Sequence, residues 1–226
     1  DAYLIAVPTP FKIRKNNHDI PEPDISYIKN ASTQIAKVLQ KGDLVILEST
    51  SPVGTTEKLS AWMSAERDDL TFPHQCGGDS DIRIAYCPER VMPGNIINEL
   101  INNDRVIGGI TEECSLLAKE LYKTFVKGEC FTTSARTAEM VKLTENASRD
   151  VSIAFANELS IICDELNINV WELIELSNKH PRVNILQPGP GVGGHCIAVD
   201  PWFIISQDNE NTKLIRSARE VNNLKT

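Results

Sequence analysis

"LVILESTSPVGTTEKLSAWM", Leu44 to Met63, decides the fold. Its first four residues are apolar without interruption, and β-branched residues sit among them. Turn-forming Ser, Pro and Gly follow at once. Then the stretch reads as a loop followed by a helix, with Thr55 or Thr56 placed to cap it. The unit reads as a buried strand, a loop and a helix. A strand that is apolar on both faces belongs in a parallel sheet covered on both sides.

The pattern repeats outward. "AYLIAV" (2–7) is an apolar run closed by "PTP", and it reads as a buried strand entering a loop. Asp24 to Leu39 has helical spacing, with Ile25, Ile28, Ala31, Ile35, Val38 and Leu39 apolar and Asp24 as cap. "IAYCPE", "DRVIGGI" and "CFTTS" read as further strands, and "CSLLAKELYKTF" as a helix. Strands alternating with helices give an α/β fold: a partial Rossmann-like parallel sheet followed by a mainly helical central region. In such sheets ligands bind beyond the carboxyl ends of the strands. The "PTP", "STSPVG" and "PER" segments therefore line one edge.

No Gly or Pro occurs from Glu129 to His180. That stretch reads as a long helix, broken near Asn167 to Asn169, with a second helix to Asn178. A composition shift near Ser134 sets the expected boundary, with residues 1–133 as one domain and 134–226 as the other.

The chain has 226 residues, 41% apolar and 24% charged, which suits one or two globular domains. A net charge of -8 argues against a nucleic-acid or anionic-membrane surface. No apolar run reaches the roughly 20 residues that span a bilayer. Six cysteines lie scattered, without metal-ligand spacing, so free thiols in a reducing compartment, the cytoplasm, and no metal are expected. The start at Asp1 and the unfinished helical pattern at the end read as an internal fragment. Its unpaired sheet edge is expected to make the isolated fragment aggregate or oligomerise.

"GPGVGGHCIAVDPWF" (189–203) contains G-x-G-x-x-G at Gly189, Gly191 and Gly194. That fingerprint needs a strand before it and a helix directly after it. Neither is visible, and Pro201 works against a long helix there. The glycines instead suit a tight turn that presents Cys196, with Asp200 four residues on. A cysteine in such a place is either a nucleophile or a small buried apolar group. On "TAEMVKLTENASRDVSIAF", Met140, Leu143, Ala147, Val151 and Ala154 share one face, and Lys142, Asn146 and Arg149 the opposite one. That polar row is either a solvated face or one wall of a cleft.

Taken together, "VPTPF", "ESTSPVGTT", "AYCPER", "AEMVKLTENASRDV", "NKHPRVN" and "GPGVGGHCIAVDPWFI" resemble the UDP-glucose/GDP-mannose dehydrogenase family. The resemblance covers nearly the whole chain. It implies an NAD-dependent oxidoreductase that oxidises C6 of a UDP-sugar from alcohol to carboxylate. UDP-N-acetylmannosamine stands foremost, with UDP-N-acetylglucosamine and UDP-glucose as alternatives. The product would feed bacterial surface polysaccharide, and the isolated fragment would be inactive. The resemblance implies that Cys196 forms a thiohemiacetal and then a thioester, and that Lys142 and Asn146 stabilise the oxyanions. Asp200 would orient water, supported by Thr50 and Glu89. Arg90, Val91, Lys142, Asn146, Arg149, His180, Arg182 and Gly193 would hold the sugar nucleotide, and Thr9 and Thr56 would contact NAD. A homodimer through the central helices is implied. Pro93 stands where UDP-glucose dehydrogenases carry a second glutamate, which argues against glucose. The loop Ile13 to Ile20 looks longer than usual. Two other readings stay open: a non-catalytic dimerisation fragment, and a cysteine hydrolase using Cys196 with His180 or His195.

Overall fold

The computed structural model describes residues 1–12, 20–91, 94–194 and 196–225. Pro93, His195 and most of the 13–20 loop fall outside the described residues. The chain divides into two compact units, Asp1–Ile13 with Pro23–Lys142, and Arg14–Glu22 with Leu143–Thr226.

The first unit holds a five-stranded sheet in the order β1 (Ala2–Ile5), β2 (Leu44–Leu47), β3 (Arg83–Tyr86), β4 (Arg105–Gly109), β5 (Cys130–Ser134). Between them in sequence run helices α1 (Ser26–Ala36), α2 (Thr55–Glu66), α3 (Pro73–Cys76), α4 (Ile96–Asn102) and α5 (Glu112–Lys123). The alternation of side chains along each strand builds two cores. Val45, Leu47, Ile84 and Tyr86 face a core with Ile28, Leu59 and Met63 from α1 and α2. Leu44, Ile46, Ala85 and Cys87 face a second core with Ala118 and Tyr122 from α5. Covered on both faces, β2 has no polar position, as its sequence requires.

Two strand expectations need correction. The sheet is not parallel throughout: β3 and β4 run antiparallel, pairing Ala85 with Gly109 and Tyr86 with Gly108. The connection through α4 returns the chain into the sheet from the edge at which β3 ends. Apolar composition carries no strand direction, so the sequence was silent on this. "AYLIAV" is not a buried strand either. Among the described residues it pairs with β2 alone, and Leu4 is 48% exposed while Ile5 is buried.

The caps differ in detail. Asp24 lies two residues before α1, and its carboxylate accepts from the Ser26 N–H at 2.9 Å. Neither threonine caps α2. Gly54 does so, in a left-handed conformation (φ 90°) that favours glycine.

Helix α6 (Ala135–Glu165) begins in the first unit and continues into the second. The break expected near Asn167 is present, with that residue at φ 54°. The second unit also holds α7 (Val170–Ser177), α8 (Asp200–Gln207) and α9 (Lys213–Leu224). A buried polar cluster ties α9 to α6. Arg219 Nη1 donates to Asp150 Oδ1 at 2.7 Å, and Asn222 Nδ2 to the same oxygen at 2.8 Å. Asn157 donates to Asn222 Oδ1 at 2.9 Å and accepts from the Gly189 N–H at 2.9 Å. On α6, Leu143, Ala147 and Ala154 are buried as expected, but Met140 is 40% exposed.

Candidate active site

In the first unit, β1, β2 and β3 are parallel, so the segments after them leave from one edge. Val7 N–H donates to Ser49 Oγ at 2.8 Å, and the Thr9 hydroxyl donates to the Thr50 carbonyl at 2.8 Å. Thr9 and Thr50 are therefore neighbours, both half-buried. After β3, both Glu89 carboxylate oxygens are engaged. Oε1 accepts from the Arg90 N–H at 2.6 Å, and Oε2 from Arg105 Nη1 at 3.2 Å. The Glu89 carbonyl accepts from Lys142 Nζ at 2.9 Å. Arg90 reaches the Asp104 carbonyl through Nη1 at 3.3 Å, and Val91 beside it is half-buried.

Thr56 sits differently from what its place at a helix start suggests. It is fully buried, and its N–H and hydroxyl donate to Glu139 Oε1 at 2.8 and 2.7 Å. Gly54 N–H donates to the other oxygen at 2.5 Å. The anion at this helix N-terminus is thus an internal carboxylate, where the positive end of the helix favours one. Burial pushes the Glu139 pKa up, against the pull of those three donors. Thr9 fits a direct cofactor contact, since its hydroxyl oxygen still has acceptor capacity. Thr56, with its donors spent, fits as part of the wall behind.

Behind Glu89 lies a second buried group. Tyr122 Oη donates to Glu48 Oε1 at 2.6 Å. Burial raises the Glu48 pKa and pushes the Cys87 thiol up to about 12, so Cys87 is an inert thiol. For Arg105, burial works against the charge. Glu89 and other neighbours outweigh it, and the guanidinium pKa is raised.

In the second unit, Cys196 is exposed. Its carbonyl accepts from the Val199 and Asp200 N–H groups at 3.0 and 2.8 Å, closing a turn directly before α8. Gly191 and Gly194 have φ of 90° and 87°, the left-handed geometry that only glycine adopts freely. Helix α8 starts six residues after Gly194, with Pro201 in its first turn, so no helix N-terminus follows the glycines directly. Asp200, 3% exposed, accepts from Asn146 Nδ2 at 2.6 Å. Asn146 is buried too, so this part of the polar row is not a solvated face. Arg149, His180, Arg182 and Gly193 are exposed, and the Arg182 N–H donates to His180 Nδ1 at 3.3 Å.

Sequence reasoning missed Arg105, Glu139, Asp150, Asn157, Arg219 and Asn222. One signal was there. On α6, Glu139, Asn146, Asp150 and Asn157 are spaced by 7, 4 and 7, the spacing of a seam rather than a solvated face. Among the described residues, no group of three or more His, Cys, Asp or Glu could hold a metal ion. No helix among them is long and apolar enough to cross a membrane.

Residues 1–126 match the UDP-glucose/GDP-mannose dehydrogenase family, NAD binding domain, and residues 136–224 match its central domain. The chain belongs to this family, and the cofactor its first domain is named for is NAD. The chain is 67% identical over 225 residues to a UDP-N-acetyl-D-mannosamine dehydrogenase of Campylobacter jejuni, covering 100% of this chain and 54% of that one. It is 66% identical to an NDP-N-acetyl-D-galactosaminuronic acid dehydrogenase of Ralstonia nicotianae, covering 100% of this chain and 52% of that one. Among solved structures, the UDP-D-ManNAc dehydrogenase of Pyrococcus horikoshii superposes with a TM-score of 0.85 at 45% identity, over 99% of this chain and 50% of that one. The chain thus spans about half the length of the curated relatives it matches.

Proposed function

We propose that this chain is the NAD-facing and central part of an enzyme that oxidises C6 of a UDP-N-acetylhexosamine to the uronate, UDP-N-acetyl-D-mannosamine being the substrate. The observation that carries this reading is the exposed Cys196 on its glycine turn, four residues from an Asp200 held by Asn146. NAD, when bound, would supply the hydride acceptor, with Thr9 as a contact and Thr56 in the wall behind it.

The roles follow from the groups. The C6 alcohol would first lose its hydroxyl proton and a hydride to give the aldehyde. Cys196 adds to that carbon, and the C6–H of the thiohemiacetal can then leave as hydride because its oxygen closes to the thioester carbonyl, which the bare aldehyde cannot do. Lys142 and Asn146 donate to the oxyanion of each tetrahedral species. Asp200 orients the water that cleaves the thioester, and Thr50 and Glu89 support that water. Because both Glu89 oxygens are engaged, Glu89 serves as a fixed acceptor. Arg90, Val91, Arg149, His180, Arg182 and Gly193 contact the sugar nucleotide, the exposed arginines facing its diphosphate.

We further propose residues 1–133 and 134–226 as the functional division, and a homodimer through the central helices. Phe155, Ile162, Leu166 and Trp171 on α6, α7 and their junction are 45–62% exposed, and that much apolar surface favours a partner. Six unpaired cysteines suit the cytoplasm, where the uronate would be made for bacterial surface polysaccharide.

A second reading has a specific basis. The mannosamine and galactosaminuronate relatives are almost equally similar, so overall identity does not select the sugar. The test is NADH release by the full-length protein with UDP-N-acetylmannosamine, and with the glucosamine and galactosamine analogues. Two NADH per mannosamine sugar, lost in Cys196→Ser, is the expected result. Turnover only with an analogue would replace the substrate. No NADH with any of them would overturn the function.

A further inference from the structure

We infer that Arg105 is a positioning residue for Lys142, acting through Glu89. The role assigned to Lys142 rests on the function proposed above. The contacts do not.

Arg105 is the first residue of β4 and only 2% exposed. Its fork makes two contacts: Nη1 with Glu89 Oε2, and Nη2 with the Leu100 carbonyl at 3.2 Å. The guanidinium also lies over the Tyr122 ring, 5.4 Å from its centroid. A planar fork held at two points and stacked on an aromatic face is a rigid anchor. The antiparallel turn of the sheet makes it possible. Because β4 runs back along β3, its first residue lies level with the segment that follows the end of β3. A parallel β4 would have carried Arg105 to the opposite edge.

The anchor acts on the backbone. With one Glu89 oxygen on Arg105 and the other on the Arg90 N–H, the side chain clamps its own peptide. The Glu89 carbonyl is then a fixed acceptor for Lys142 Nζ. Lysine is a flexible four-carbon arm that its own helix does not orient. A single fixed carbonyl selects where its ammonium rests, and leaves its other hydrogens for a substrate oxygen.

The test uses the full-length protein with Arg105→Gln and Arg105→Lys. The first readout is trace acetylation of Lys142, quantified against the exposed Lys179, whose side chain is 70% exposed. Releasing the anchor should raise the Lys142 labelling ratio about fivefold in Arg105→Gln and about twofold in Arg105→Lys, as the arm gains freedom. The second readout is steady-state kinetics. Arg105→Gln should lower kcat about tenfold or more with KM moved less than about threefold. In a Lys142→Ala background the same change should cost less than about twofold, because the two act as one unit. An unchanged labelling ratio, or a full kcat loss that persists without Lys142, overturns the inference. If no UDP-sugar is oxidised at all, the proposed function falls, and the labelling ratio alone decides the role of Arg105. If Arg105→Gln does not fold, Arg105→Lys carries both readouts, since it keeps a cation against Glu89 and gives up one of the two contacts.

Discussion

Asn146 and Asp200 meet side chain to side chain: the amide donates to Oδ2 at 2.6 Å, and both residues are buried. Removing the amide leaves a buried carboxylate short of a donor. Asn146→Ala should therefore cost about 1–3 kcal/mol of stability. Asn146→Asp should cost more at neutral pH, because it sets a second carboxylate against the first. Urea denaturation of both variants measures the difference. Equal midpoints would mean that the contact carries no weight in the folded protein.

The thiols divide cleanly by burial. Cys76 and Cys196 are exposed, while Cys87, Cys114, Cys130 and Cys163 are buried. Among the thiols of these 226 residues, an aromatic disulfide reagent should react fast with two in the native state and with all six in denaturant. Cys196→Ser should remove one fast equivalent. If the fast count stays at two in that variant, Cys196 is not presented by its glycine turn.

What was legible in the sequence follows from what each pattern encodes. Continuous apolar runs gave β2 and β3, because a strand buried on both faces has no polar position. Direction is not encoded that way, so the reversal of β4 was hidden, and with it the meeting of Arg105 and Glu89. In "AYLIAV", Ile5 is buried and Leu4 is 48% exposed, because β1 pairs with β2 alone among the described residues, and apolar composition does not say how many neighbours a strand has. The glycine turn was legible because its context failed the dinucleotide pattern. The cluster of Asp150, Asn157, Arg219 and Asn222 was not. Its members lie far apart in sequence, and each alone looks like a surface residue.

That cluster supplies a third prediction. Arg219 and Asp150 are 2% and 0% exposed and pair at 2.7 Å. Breaking such a pair from one side leaves an uncompensated buried charge. Arg219→Met should cost about 3–5 kcal/mol, whereas Arg219→Met with Asp150→Leu should recover more than half of the loss. The two melting curves test this. Additive losses would show that the cation and the carboxylate are compensated separately. Asn157→Ala, which frees the Gly189 N–H, should in addition raise the Cys196 labelling rate, since the loop loses its tether.

The last prediction concerns pH. Three carboxylates, the buried Glu139 and Asp150 and the half-buried Glu48, have raised folded pKa values, with desolvation the largest cause in each. Their unfolded references are 4.5, 4.5 and 3.8. A group raised in the folded state binds protons there more readily than in the unfolded chain. Its contribution is therefore full below the unfolded value and is lost as pH rises through the folded one. Asp69 and Asp81 behave oppositely. Hydrogen bonds, to Arg67 for Asp69 and to Thr71 for Asp81, lower their pKa below 3.8, so their contribution is lost only as pH falls through the folded values. Stability should rise as pH falls through the raised folded values of these three groups, and should fall again once pH drops below 3.8 through the lowered values of Asp69 and Asp81. Glu139→Gln removes one raised group and should flatten the upper slope while leaving the acid limb in place. Thermal melts across this range, at constant ionic strength, decide the matter. An upper slope of the opposite sign would mean that the donors at the start of α2 outweigh the burial of Glu139, and that its carboxylate is a net stabiliser of that helix when charged.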